Sequence, residues 1–329
     1  MRPADASVLA LGHRFAGLDA ERAILADVGA VVDGNSLTSD ERRQALATAR
    51  GVLLGTRDRL DAETIGTMER CRVVVRYGIG VDNVDVAAAT RRGIVVCNVT
   101  DYAIEEVSDH AVALLLAANR RLVAAHAAAR ARQWGTAMMA GVKRLKSQTV
   151  GIVGFGRIGQ ATGSKVQRLA GQVVAYDPAI PPRVMEAAGT EAVDFRTLLE
   201  TSDYVSIHCP LTPATRRLFD ADAIARMKPT AWLINTARGE IVDEAALVEA
   251  LVARRLGGAA LDVLTEEPPA ENHPLLRLDN VILTSHVAFV SDEALLDLQR
   301  LAAEEARRVL VGDPPRSALN LEPLTGRST

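Results

Sequence analysis

The chain has 329 residues, 48% of them hydrophobic, with 38 Lys and Arg against 41 Asp and Glu and a formal net charge of −3. That length holds about two domains with sizeable cores, and no basic excess or run of like charge points to a nucleic-acid partner. The longest apolar run near the N-terminus, residues 8–11, is too short for a signal peptide or membrane span. Three cysteines (Cys71, Cys97, Cys209) without a Cys-x-x-Cys pair suit neither a disulfide framework nor a metal site. The expectation is a cytoplasmic protein with no membrane partner and no metal.

Short apolar runs alternate with helical patterns from the start. Residues 7–11, 31–32, 51–54, 73–75 and 94–96 read as strands, with helices over 18 to about 28, 39–49 and 62–71. Alternation of this kind predicts a parallel sheet flanked by helices. Residues 105–131, rich in Ala, Leu and Arg and free of Gly and Pro, predict one long helix. The apolar run at 150–153 then reads as a buried strand, and Gly154, Gly156 and Gly159 form a G-x-G-x-x-G turn into a helix starting around Arg157. The glycines allow a tight turn, close approach to a pyrophosphate at the helix N-terminus, and close helix–strand packing. The next strand, 172–176, ends in Asp177, 18 residues past the last glycine, where a dinucleotide fold needs a carboxylate for the adenosine ribose. These features together predict a dinucleotide site, and the roughly 150 residues before it leave room for another domain. Further strands are expected at 204–208, 231–234, 259–261 and 281–284, with helices at 195–200, 221–227, 244–253 and 292–311. The two halves thus share an α/β architecture, as two lobes around a cleft.

Three segments follow strands of the second half: 235–243 with Arg238, 262–269 with Glu267, and 285–289 with His286. In an open α/β sheet ligands bind beyond the carboxyl ends of the strands, so these three can meet around one ligand. A guanidinium can clamp a carboxylate and polarise a neighbouring carbonyl. An imidazole can move a proton to or from the carbonyl oxygen as hydride moves at the carbon, and a carboxylate can hold that ring and favour its charged form. His110 and His208 read instead as core histidines satisfied by backbone.

On these motifs the chain resembles the D-isomer-specific 2-hydroxyacid dehydrogenases, a family that includes phosphoglycerate dehydrogenase, glyoxylate reductase and the C-terminal binding proteins. The likeness covers roughly residues 45–315 and is carried by residues 76–85 (RYGIGVDNVD), 97–99 with 105–110, and the three segments above. Arg238 and Glu267 stand 29 positions apart, and Glu267 and His286 stand 19 apart. The motifs are nearest to those of the C-terminal binding protein subfamily. The resemblance implies NAD-linked interconversion of a 2-oxo acid and a D-2-hydroxy acid, with Arg238 orienting the substrate, His286 as acid/base and Glu267 as its partner. It implies substrate contacts from Arg76, from the amides of Gly78, Ile79 and Gly80, and from Phe289. It places Gly154, Gly156, Arg157, Ile158 and Gly159 at the pyrophosphate, Asp177 at the ribose and Asp262 at the nicotinamide carboxamide, with Cys209, Thr215, Thr236 and Ala237 also against the cofactor.

The resemblance further implies two Rossmann-like or flavodoxin-like lobes. Residues 1–101 with 291–329 would form the substrate lobe and 102–290 the inserted NAD-binding lobe, paired as a homodimer through the latter. Phosphoglycerate-type relatives carry an Arg after the strand at 51–54, where this chain has Gly55, so an unphosphorylated substrate with a medium-sized or apolar side chain is expected. Phe289 and Tyr77 could supply an apolar wall, the alternative for Tyr77 being to pack inside the substrate lobe. Arg57 and Arg59 follow closely enough to keep phosphoglycerate dehydrogenase as an alternative. An NAD-sensing corepressor of the C-terminal binding protein type is the rival from a different class.

Overall fold

The computed structural model describes residues 7–320. The chain forms two compact units: one runs up to Ala103 and resumes at Ser291, and the other is Ile104–Val290. Each is built on an all-parallel sheet.

The first unit starts as β1 Val8–Leu11, α1 Asp19–Ile24, β2 Val31–Asp33, α2 Ser39–Thr48, β3 Gly51–Leu54, α3 Ala62–Thr67, β4 Val73–Arg76, α4 Val86–Arg91 and β5 Val95–Cys97. Its sheet order is β2-β1-β3-β4-β5, so the chain reverses direction across the sheet between β1 and β3. Strands β1, β3, β4 and β5 are buried at every residue, as expected of a parallel sheet covered on both faces. Side-chain oxygens start three of these helices: Thr38 and Glu41 form a capping box on α2, while Asp61 and Asp85 cap α3 and α4. Helices α1 and α3 stop short of the expected ends at 28 and 71, and α4 had no counterpart in the sequence reading.

Of the two places expected for it, Tyr77 takes the inside of the unit. It is buried, donates its hydroxyl to Glu21 Oε1 at 2.7 Å and meets the edge of Phe15 at 4.9 Å. Glu21, itself fully buried, also accepts from Gln299 Nε2 at 3.0 Å. Burial, together with the Glu21 charge, pushes the Tyr77 phenol well above its ordinary range.

The second unit continues as α5 Ile104–Asn119, α6 Leu122–Arg130, β6 Thr149–Val153, α7 Arg157–Gln167, β7 Gln172–Tyr176, α8 Pro182–Ala187, β8 Glu191–Ala192, α9 Phe195–Thr201, β9 Tyr204–Ile207, α10 Ala221–Arg226, β10 Trp232–Asn235, α11 Glu244–Val252, β11 Gly258–Leu261 and β12 Val281–Leu283. Its sheet order is β12-β11-β10-β9-β6-β7-β8, with the reversal between β6 and β9. The long helix expected over 105–131 is two helices bent by 60°. Asn119 ends α5, and its buried amide donates to the Lys143 carbonyl, Gln148 Oε1 and the Tyr204 hydroxyl. Arg121 then takes a left-handed φ of 48°. No Gly or Pro announces the break, because a tertiary anchor makes it. No residue of α6 is buried. Among the described residues no single helix is long and apolar enough to cross a membrane.

Back in the first unit, α12 Asp292–Val311 lays Leu298, Ala302, Ala306, Val309 and Leu310 into the core formed by β1, β3 and β4. Fully burying each larger side chain contributes about 1.5–3 kcal/mol. Past this helix the backbone returns to β5, where Asn320 Oδ1 accepts the Val96 amide at 2.7 Å.

Candidate active site

The site residues of the second unit lie beyond the C-terminal ends of its strands. After β6, Gly154 has φ 90°, and a Cβ there would lie 2.4 Å from the Cys209 amide nitrogen. A Cβ on Gly159 would lie 2.1 Å from the Gly154 carbonyl oxygen, so α7 can approach the strand only through glycine. Gly156 differs: a Cβ there would meet nothing within 4 Å, and it caps α7 without a side-chain hydrogen bond. The α7 N-terminus is therefore open beside Gly156, with exposed Arg157 and half-buried Ile158 as its first residues. After β7, Asp177 accepts the Phe155 amide through Oδ2 at 2.7 Å and the Ala179 amide through Oδ1 at 2.9 Å, locking its carboxylate next to the glycine turn.

After β9, burial pushes the Cys209 thiol up to about 11, so it is a neutral apolar wall. The Thr215 hydroxyl donates to the Pro210 carbonyl at 2.6 Å and shapes the turn below it. The buried Thr236 hydroxyl has no hydrogen-bond partner among the described residues. An uncapped helix N-terminus, an aligned carboxylate and an orphaned buried hydroxyl fit the diphosphate, ribose and polar edges of a dinucleotide.

Beyond β10, buried Asn235 clamps the next turn: Oδ1 accepts the Ala237 amide at 2.9 Å, and Nδ2 donates to the Arg238 carbonyl at 2.8 Å. Arg238 is half-buried, with Nη1 donating to the Ala237 carbonyl at 2.7 Å. A Cβ on Gly239 would overlap the Leu264 backbone at 2.1 Å, so this turn packs directly on the loop carrying Glu267. Glu267 accepts the Leu264 amide through Oε1 at 3.0 Å, and its Oε2 is 2.7 Å from His286 Nδ1. Partial burial works against the Glu267 charge. The hydrogen bond and charge of His286, the Leu264 amide and the Arg238 charge outweigh it and hold the carboxyl below its ordinary value.

His286 itself has φ 56°. Phe289 presents a perpendicular ring 6.2 Å from its imidazole. Arg238, Glu267, His286 and Phe289 thus cluster on one sheet edge, and Asp262 lies buried directly beneath the His286 turn.

Arg76, Gly78, Ile79 and Gly80 belong to the first unit. Arg76 is buried with Nη1 on the Tyr77 carbonyl at 2.6 Å, Gly78 has φ 125°, and the Ile79 carbonyl accepts from Asn98 Nδ2 at 2.7 Å.

Two readings need correction. His208 pairs with the Ser206 hydroxyl at 2.8 Å rather than with backbone, and burial lowers its imidazole to about 4. His110 is partly exposed and bonded to the Thr284 hydroxyl at 3.0 Å. Asn235, Thr284 and His110 were missed as site residues. An Asn closing a strand is a turn signal that could have marked the first. No local signal links His110 to a residue 174 positions away.

A family model described as the D-isomer specific 2-hydroxyacid dehydrogenase NAD binding domain matches residues 112–288. A D-3-phosphoglycerate dehydrogenase of Methanocaldococcus jannaschii is 37% identical over 299 residues, which are 91% of this chain and 57% of that protein. The chain thus spans little more than half the length of the first curated relatives it matches. A glyoxylate reductase of Thermofilum pendens is 39% identical over 281 residues, 82% of this chain and 81% of that one. The crystal structure of D-lactate dehydrogenase from Aquifex aeolicus, complexed with NAD and lactic acid, superposes with a TM-score of 0.85 at 25% identity, covering 97% of this chain and 98% of that one. With the glycine turn, the spaced aspartate and the Arg–Glu–His cluster on one sheet edge, the chain belongs to the D-isomer specific 2-hydroxyacid dehydrogenase family, and residues 112–288 match its NAD binding domain.

Proposed function

We propose that this protein interconverts a 2-oxo acid and a D-2-hydroxy acid with NAD, using His286 as acid/base, Glu267 as its partner and Arg238 as the substrate clamp. The observation that carries the reading is the 2.7 Å pairing of His286 Nδ1 with Glu267 beside the Arg238 charge. With Nδ1 held by the carboxylate, Nε2 is the nitrogen left to give a proton to the substrate oxygen or take one from it. A carboxyl held below its ordinary value stays anionic and stabilises the imidazolium. Arg238 offers a forked donor that suits the substrate carboxylate and draws electron density from the adjacent carbonyl. Gly154, Gly156, Arg157, Ile158 and Gly159 would hold the NAD diphosphate, and Asp177 the ribose; when bound, NAD supplies or accepts the hydride. Arg76 with the amides of Gly78, Ile79 and Gly80 is proposed as a second carboxylate-binding element.

For the substrate, the preferred reading is an unphosphorylated 2-oxo acid with an apolar side chain. Phe289 lies against His286, and a Cβ on Gly55 would fall 2.1 Å from the Gly12 carbonyl oxygen, which bars an arginine there. A homodimer through the NAD-binding domain is part of the proposal. It is supported by α6, which buries none of its residues, and by Leu122, Val123 and Trp134, which are 61%, 52% and 87% exposed.

The test is NADH oxidation with about twenty 2-oxo acids, including 3-phosphohydroxypyruvate, phenylpyruvate, 4-methyl-2-oxopentanoate and glyoxylate, with the product's configuration determined. Turnover to a D-2-hydroxy acid is expected. Preference for the phosphorylated acid would reassign Arg57 or Arg59 to phosphate binding. NADH binding without any turnover would sink the enzyme reading in favour of a cofactor-sensing regulator.

A further inference from the structure

His110 on α5 sets its Nε2 3.0 Å from the Thr284 hydroxyl oxygen and 3.6 Å from Asp262 Oδ1. The Thr284 hydroxyl donates to Asp262 Oδ1 at 2.5 Å. A hydroxyl has one proton, so with that proton on Asp262 its oxygen accepts from His110, and His110 carries hydrogen on Nε2. Asp262 is 2% exposed, and a carboxylate so buried needs its lone pairs engaged. Oδ1 takes the Val287 amide at 3.0 Å and Oδ2 the Ala288 amide at 2.9 Å, while the Asp262 carbonyl takes the His286 amide at 2.8 Å. Three successive amides are thereby pinned by one residue. These bonds help hold His286 at φ 56°, in the left-handed region that disfavours a residue with a Cβ.

We propose that His110 is a positioning residue for His286, acting through Thr284 and Asp262. His110 fixes the direction of the Thr284 hydroxyl, that hydroxyl fixes the Asp262 carboxylate, and the carboxylate fixes the turn that aims the imidazole at its substrate. The role rests on the reading of His286 as acid/base. Catalysis is sensitive to displacements well under an ångström at the reacting group, so loosening the brace acts on turnover far more than on binding.

The experiment compares His110→Ala, His110→Gln, Thr284→Val and the double variant His110→Ala with Thr284→Val. His110→Ala and Thr284→Val should each lower kcat by roughly 10–50-fold, with KM and the NADH Kd within about threefold of wild type. His110→Ala should melt as the wild type does, while Thr284→Val, which strips one donor from the buried Asp262 carboxylate, should melt a few degrees lower. His110→Gln, whose amide nitrogen can donate from a similar reach, should recover most of the activity. The double variant should lose no more than the worse single one, as members of one chain of hydrogen bonds do. A second readout needs no turnover: the NMR signal of the His286 Nδ1–H bonded to Glu267, assigned through His286→Asn, should broaden in His110→Ala and persist in His110→Gln. Wild-type kcat in His110→Ala, equal losses in the Ala and Gln variants, or additive losses would each overturn the proposal. Should the wild-type protein reduce no 2-oxo acid, the acid/base reading fails by itself. The NMR arm then decides alone, since an unchanged His286 signal in His110→Ala removes the brace and a broadened one keeps it.

Discussion

His286 reaches solvent with one nitrogen committed and one available, and the consequences of changing it are correspondingly narrow. His286→Asn should fold, bind NADH and melt as the wild type does, while kcat falls by ~10²–10⁴, the usual contribution of general acid/base catalysis. Near-wild-type turnover on the best substrate would remove the histidine from the chemistry. Asp177 makes a second prediction at this scale. Its carboxylate is locked by the Phe155 and Ala179 amides, and the next cation is Arg183 on α8. With Asp177 at the ribose as proposed, a 2′-phosphate would meet a fixed like charge, so kcat/KM should favour NADH over NADPH by ~100-fold or more, and equal values would refute it.

His208 makes a third. Its imidazole is lowered to about 4 in the fold against an ordinary 6.5, so the unfolded chain takes up the proton first as pH falls. Stability therefore drops between pH 6.5 and 4, by on the order of 1–2 kcal/mol from pH 7 to 5 after allowance for its partial exposure. Thermal melts at the two pH values, on wild type and His208→Gln, check this: the variant should show the shallower dependence.

The glycine turn between β6 and α7 joins local backbone demands to ligand demands, and two neighbouring substitutions separate them. Gly159→Ala forces a Cβ against the Gly154 carbonyl, and should cost about 1–3 kcal/mol of stability along with NADH binding. Gly156→Ala meets no atom of the described residues within 4 Å, so the melting temperature should hold while NADH affinity falls about tenfold or more if, as proposed, the NAD diphosphate approaches the helix there. Paired melts and NADH fluorescence titrations distinguish the two, and equal destabilisation by both would remove the distinction. Most of this element was legible in sequence, since strand, turn and carboxylate follow one another within 29 residues. The α5–α6 break was not legible, because the groups that stop α5 at Asn119 come from Lys143, Gln148 and Tyr204.

At the scale of the whole molecule, the proposed homodimer would cover the exposed face of α6 and Trp134. Trp134→Ser should shift a dimer toward monomer in light scattering at micromolar concentration while leaving the monomer's far-UV spectrum unchanged. A wild-type protein that is monomeric throughout the range would rule the interface out. The sequence by itself determined the α/β class and the family's NAD-binding domain, and it picked out Arg238, Glu267 and His286 as the candidates that the second unit brings together. Those features depend on periodicity and on short spacings, which a chain carries in the order of its residues. Tertiary structure alone decided that Tyr77 belongs to a buried core with Glu21 and Gln299, and that His110 and Thr284 brace the His286 turn through Asp262. Those contacts join residues 56 to 278 positions apart or arise from the sheet order, and no local pattern encodes which distant polar group will satisfy a buried one.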